Sequence, residues 1–203
     1  MEAEAAVVEA AVAVVVVVED RIKTKYINDI VWKKISGLEF DNQNAELTFS
    51  KRLARENRWP HWYALDVIEE YRKFLYLLQR AKHPVTPSIE VDQVWHLHLT
   101  YSEFYWEDFA KGMPVAPHHG PTRGGTDEDN KFIDWYAKTL ESYEQIFGNK
   151  PPIHIWPSKE KRFRANQSWA WIDASKHFII DRNAGYVYIL FIIFLMILVA
   201  TIF

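Results

Sequence analysis

The chain has 203 residues, of which 49% are hydrophobic and 25% charged, with a formal net charge of −3 and no cysteine. That is enough apolar material for one folded domain of ordinary size. The charge balance excludes the basic footprint of a nucleic-acid binder, and the absence of cysteine excludes disulfides and thiolate metal sites.

Residues 1–25 form an Ala/Val-rich extension. Its valine run, Ala5 to Val18, is interrupted by Glu9 and lacks the positive start of a secretory signal. Tyr26 to Ser36 is a predicted helix, with Ile27, Ile30, Val31 and Ile35 near helical spacing and Gly37 as its stop. Asp41 and Asn42 mark a turn, and Ser50 is the expected N-cap of a short polar helix whose apolar positions are Phe49 and Leu53. Pro60 opens the next helix, since its missing N–H costs nothing in a first turn. There Val67, Tyr71, Phe74 and Leu78, widened by Leu65, Ile68 and Leu75, form a stripe broad enough for burial on more than one side.

Pro84 ends that helix. Thr86-Pro87 is the expected start of another, running to about Lys111, where Gly112, Pro114 and Pro117 break it. Asp127 caps a further helix with Phe132, Trp135, Tyr136, Leu140, Tyr143 and Phe147 facing inward and Gly148 closing it. Ile153 to Trp156 is expected to lie extended after Pro151-Pro152. No two-residue alternation appears. The expected fold is therefore all-α, a bundle of four or five helices over residues 26–165.

Residues 166–183 read as a juxtamembrane connector and residues 184–203 as a transmembrane helix. Ala184 to Phe203 carries no charge, matches the length of about 20 residues that a span needs, and has Tyr186 and Tyr188 at its entry. Lys159, Lys161, Arg162, Arg164, Lys176 and Arg182 all precede it, so the expectation is a single-pass membrane protein with its folded part cytoplasmic. The lipid bilayer is then a partner through residues 184–203, in the manner of a tail anchor or of a longer parent cut at this point.

The polar residues gather between Val91 and Gly125. On a helix at about 100° per residue, Val91, Val94, Trp95, His98, Tyr105, Trp106 and Phe109 share one side, which places His98 in the core. Asp92, His96, Glu103 and Glu107 share another. His96 and His98, two apart, point in nearly opposite directions and cannot ligate one ion from a regular helix. Asp92 and His96, four apart, can converge. With His118 or His119 folded back from the loop, they make a nitrogen and oxygen set suited to zinc or another first-row metal. Two other readings stand beside it: Asp92 orienting His96 for proton transfer, and, placed first, a hydrogen-bonded pair tying loop to helix. His98, Tyr105 and Arg123 are candidate ligand-binding residues. Gly120, Gly124 and Gly125 around Arg123 match neither standard phosphate-binding fingerprint and read as turn-shaping residues.

At V-D-Q-V-W-H-L-H-L, with Tyr105-Trp106 after it and H-H-G-P-T-R-G-G beyond, the sequence resembles the glycine-rich domain protein-like family. Further matching pieces are S-K-R-L-A-R-E-N at Ser50 to Asn57, V-I-E-E-Y at Val67 to Tyr71, and F-G-N-K-P-P with I-W-P. The resemblance implies a bacterial-type member of a largely uncharacterised family. It carries over motif positions to Asp92, Trp95, His96, His98, Tyr105, His118, Pro121, Thr122 and Gly125. Two functions follow as expectations. One is a membrane-anchored helical module that binds a protein partner or ligand at the cytoplasmic surface through its nine tryptophans. The other is a metal-dependent, hydrolase-like enzyme built on Asp92, His96, His118 and His119.

Overall fold

The computed structural model describes residues 5, 7–9, 12, 25–120, 124–164, 176 and 182–202. The chain divides into two compact units, Met1–Arg164 and Ala165–Phe203. All regular structure among the described residues is helical, as the missing alternation implied. Most of the valine run and of the connector lies outside the described residues.

Helix α1 (Ile30–Ser36) starts at Asp29, whose carboxylate accepts from Val31 N at 2.9 Å. The same carboxylate takes a two-pronged bond from Arg80 at 2.7 and 2.8 Å and the Tyr76 hydroxyl at 2.8 Å. Chiefly through the Arg80 bond, this holds the Asp29 carboxyl down at about 2. Helix α2 (Phe49–Asn57) is capped by Thr48 rather than Ser50. Ser50 is fully buried instead. Its hydroxyl donates to Asp41 Oδ2 at 2.6 Å, which leaves His61 Nε2 as the donor to Ser50 Oγ at 2.8 Å.

Helix α3 (His61–Arg80) begins directly after Pro60, as expected, and is the hub of the unit. It packs against α1, against α2, and against the later helices α4 (Ile89–Thr100) and α5 (Thr126–Phe147). Val67, Ile68, Tyr71, Phe74 and Leu75 are buried along it, as the spacing implied, with Leu78 half-buried and Leu77, outside that stripe, buried as well. Leu65 is the exception, at 44% exposed. Glu70 is buried on the same helix. It survives there because Lys73 Nζ (2.7 Å), Trp156 Nε1 (2.9 Å) and the Tyr143 hydroxyl (3.0 Å) all donate to its carboxylate.

Helix α4 is capped by Ser88, two residues after the expected start. The Thr86 amide is used elsewhere, donating to Thr139 Oγ1 of α5 at 3.0 Å. Nor does α4 continue to Lys111. It stops at Tyr101, whose ψ of 62° leaves the helical region, and a π-helix, Phe104–Ala110, follows. The wider turns change the backbone path but keep the inward face, since Tyr105 and Phe109 are fully buried with Val91, Val94, Trp95 and His98. Trp106 is turned outward and 43% exposed.

Helix α5 has Gly125 at its N-cap, two residues before the expected Asp127, and Gly148 closes it at a φ of 77° that favours glycine. Tyr136, Thr139, Tyr143 and Phe147 form its buried side, with Phe132, Trp135 and Leu140 half-buried. Ile153 to Trp156 is not extended. The Pro152 carbonyl accepts from both Ile155 N (3.0 Å) and Trp156 N (2.8 Å), a tight turn that drives Trp156 into the core ahead of the short helix α6 (Lys159–Arg162).

In the second unit, helix α7 runs Arg182–Ile202. Among the described residues no helix is long and apolar enough to cross a membrane. The expected transmembrane helix over residues 184–203 and the single-pass membrane localisation are corrected accordingly, and the bilayer contact loses the span on which it relied. The helix opens on Arg182 and Asn183, and its next turns hold Gly185, Tyr186 and Tyr188. The unbroken aliphatic and aromatic run, Ile189 to Ala200, then covers about 18 Å at about 1.5 Å per residue, against a hydrocarbon layer of about 30 Å.

Candidate metal centre

Two of the three converging side chains come from α4. Asp92 and His96 are four residues apart and leave the helix on one side, with His96 Nε2 at 3.6 Å from Asp92 Oδ2. The third comes from the loop after the π-helix. His119 Nε2 lies 2.9 Å from Asp92 Oδ1 and 3.1 Å from His96 Nε2. The three ligand atoms all fall within 4.8 Å of one another.

His119 arrives there because its loop is tied at two points. The Gln79 side-chain amide donates to Val115 O and accepts from Val115 N, both at 2.9 Å, in effect extending α3 to the loop. The buried Tyr105 hydroxyl accepts from Trp95 Nε1 at 2.9 Å and donates to Pro117 O at 2.6 Å. Tyr105 reaches that carbonyl from the π-helix. π-Turns are found frequently at functional sites; here one aims the group that fixes the ligand loop. The His119 ring then packs edge-on against Trp95, at 4.6 Å between centroids.

The donor geometry favours a cation. A single proton on His119 Nε2 can satisfy Asp92 or His96 but not both, so three electron-rich atoms converge with one contact uncompensated. A first-row ion compensates all three at once. Metal–nitrogen bonds of about 2.0–2.1 Å at a tetrahedral angle put donor atoms about 3.3 Å apart; His119 Nε2 lies near that separation from both Asp92 Oδ1 (2.9 Å) and His96 Nε2 (3.1 Å), and the other carboxylate oxygen, Asp92 Oδ2, is 3.6 Å from His96 Nε2. The side chains of His96, Asp92 and His119 are 51%, 23% and 20% exposed, so the centre is open to solvent on the His96 side.

Of the residues expected to bind metal, the structure brings together Asp92, His96 and His119. His118 stands apart, exposed, with its ring 5.8 Å from Trp106. Of the expected ligand-binding residues, His98 and Tyr105 are fully buried, and Arg123 lies outside the described residues with Pro121 and Thr122. His98 accepts or donates one bond, between Nδ1 and the Tyr71 hydroxyl at 3.0 Å, inside a cage of Phe40, Phe104, Tyr105 and Phe109 rings. Burial pulls its pKa down to about 3, with the Arg72 charge adding to the effect. Gly124 and Gly125 have φ of 75° and 96°, the turn-shaping role read from the sequence. Gln79 and Pro117 had no place in the sequence-based site. The one available signal was a glutamine at the border of the otherwise apolar face of α3.

No family model matches the chain, and no solved structure matches it. Among curated proteins it is similar to Glycine-rich domain-containing protein 1 of Arabidopsis thaliana, 26% identical over 90 residues, and to Glycine-rich domain-containing protein 2 of the same plant, 22% identical over 90 residues. Each match covers 42% of this chain and 11% of the relative, so the chain spans a small fraction of the length of these proteins. The similarity supports a distant link to glycine-rich domain-containing proteins. It gives no support to the bacterial-type membership that the resemblance implied.

Proposed function

We propose that the helical unit binds one divalent first-row metal through Asp92, His96 and His119, and that zinc held there activates water in a hydrolase-like reaction. The observation that carries this reading is the convergence of two imidazole nitrogens and one carboxylate within 4.8 Å on a solvent-facing rim. Three protein ligands with remaining positions open to solvent is the pattern of catalytic rather than structural zinc sites. The same donor set also suits iron(II) in oxygen chemistry, so the identity of the bound ion decides between hydrolytic and oxidative readings. A module that binds a protein partner through exposed tryptophans has less behind it. Of the seven tryptophans among the described residues, only Trp62 and Trp106 are exposed.

Metal analysis of the purified protein tests the proposal. About one ion per chain is expected for the natural protein, falling below about 0.1 in Asp92→Ala and His119→Ala and unchanged in His118→Ala. A natural protein that holds less than about 0.1 ion after loading with zinc, cobalt or iron sinks the reading.

A further inference from the structure

A cavity of about 370 Å³ lies between helix α2 and the end of helix α4, lined by Arg52, Glu56, Leu97, Thr100 and Tyr101. Small-molecule sites begin at about 300 Å³, so the volume suits a compact ligand. Arg52 and Glu56 are one turn apart on α2, and their side chains are 36% and 39% exposed, so a dissolved ligand reaches both charges. Tyr101 sits at the C-cap of α4, its ring held edge-on against the buried Phe49 at 5.3 Å. Its hydroxyl accepts from Arg52 Nε at 3.1 Å and has no acceptor for its own proton among the described residues. The Thr100 hydroxyl donates to Leu97 O at 2.7 Å, so toward the cavity it can only accept. Leu97 is buried and adds an apolar wall. Arg52 is only partly engaged: its Nη1 is 3.6 Å from Glu56 Oε1, beyond hydrogen-bond length. So loose a pair on a helix surface contributes little and parts easily.

We propose that this cavity binds a free α-amino acid, with its carboxylate on Arg52 and the Tyr101 hydroxyl and its ammonium on Glu56 and Thr100 Oγ1. Charge sets the class of ligand. A carboxylate alone satisfies the guanidinium edge and the phenol O–H, but it meets the like charge of Glu56. An amine alone pairs with Glu56 and is repelled by Arg52. A ligand that carries both charges leaves neither group opposed, and the four charges then alternate in sign. Spacing agrees with this, because the two charged groups of an α-amino acid share one carbon, a span comparable with the 3.6 Å between Arg52 Nη1 and Glu56 Oε1. The guanidinium fork adds direction, since it meets a carboxylate through parallel N–H bonds that a point charge cannot offer. Leu97 and the Tyr101 ring are left to cover an aliphatic side chain. The inference does not rest on the metal reading.

The backbone amide resonances of Leu97, Thr100 and Tyr101, followed in the full chain, report the cavity directly. L-leucine should shift them saturably. L-leucinamide and isocaproate keep the same side chain but only one charge of the pair, and each should bind at least about 10-fold more weakly. Arg52→Gln should weaken L-leucine by a similar factor. Glu56→Gln should weaken L-leucine but strengthen isocaproate, because it removes the like charge that faces a lone carboxylate. A purely structural role for the pair moves both ligands the same way or neither. Tyr101→Phe removes one oxygen; it should weaken L-leucine about 5-fold, and it serves as the test if Arg52→Gln does not fold. Isocaproate bound by the natural protein as tightly as L-leucine overturns the amino-acid assignment. Equal L-leucine affinity in the natural protein and Arg52→Gln overturns the site, as does the absence of any saturable shift at about 10 mM L-leucine.

Discussion

His96 and His98 sit two residues apart on one helix and meet opposite surroundings. His98 is enclosed by aromatic rings and pushed to a pKa of about 3, so it stays a neutral packing group at neutral pH. His96 is half in water, with its Nε2 3.1 Å from a second imidazole and 3.6 Å from a carboxylate. The helical rotation of about 100° per residue is enough to turn the same side chain from core filler into a candidate ligand. Residue type alone therefore carries little functional information here. Position on the helix, and what the neighbouring loop delivers, carries most of it.

The largest expected effect is reciprocal. His96→Ala should remove metal binding by at least about 100-fold with little loss of fold stability, since His96 is largely exposed and loss of one of three ligands is severe. His98→Ala should do the reverse. It empties a fully buried site and leaves the Tyr71 hydroxyl without its partner, a loss of about 3 kcal/mol in denaturant unfolding. Parallel metal titrations and urea curves on both variants check the exchange. If the two variants lose metal and stability in equal proportion, the division between the two sides of α4 is wrong.

A smaller effect sharpens the same contrast through pH. The folded-state pKa of His98 lies below its unfolded value, so its contribution to stability is complete above about 6.5 and is lost as pH falls through about 3. Within that window the natural protein should lose about 1.4 kcal/mol per pH unit from this group. The charged and polar groups facing it are the Tyr71 hydroxyl and the Arg72 guanidinium, and Arg72 acts in the same direction as burial. His98→Gln does not titrate, so its stability deficit relative to the natural protein at pH 7 should shrink steadily by pH 4. Parallel unfolding curves for the two proteins between those values would show instead that His98 is protonated while folded.

How far the sequence foretold this arrangement differs by element. The apolar periodicity of α3 placed Val67, Tyr71 and Phe74 inside, because a stripe of that width has no other way to leave water. The same reasoning separated His96 from His98 and paired Asp92 with His96. It could not see the break at Tyr101. The aromatics of Phe104–Ala110 keep a helical spacing whether the turns are α or π, so periodicity does not report the wider turn. Choosing His119 over His118 was equally beyond a pattern argument, since adjacent loop residues differ only in what tethers the loop. The capping expectations missed by two residues at Thr48, Ser88 and Gly125, where several polar residues compete for one role. The C-terminal span failed for a different reason: absence of charge was taken as apolar length, although the tyrosines and Gly185 shorten the strictly apolar run.

The tether itself yields the most discriminating of the small effects. Tyr105 is fully buried, and its hydroxyl acts on the centre through its bonds to Pro117 O and to Trp95 Nε1, against whose ring His119 packs. Tyr105→Phe keeps the ring and its packing against His98 and Phe109, and removes one oxygen. The Trp95 indole N–H and the Pro117 carbonyl then both lose a buried partner, which costs about 1–2 kcal/mol of stability. If the loop is held by that bond, the metal should bind about 10-fold more weakly, the usual penalty when a group that orients a ligand is lost. Gln79 still holds Val115 two residues earlier, so the loss should be partial rather than complete. A Tyr105→Phe protein with the stability loss but unchanged metal affinity would mean that Trp95 packing alone positions His119. The π-helix would then be a feature of the core and not of the site.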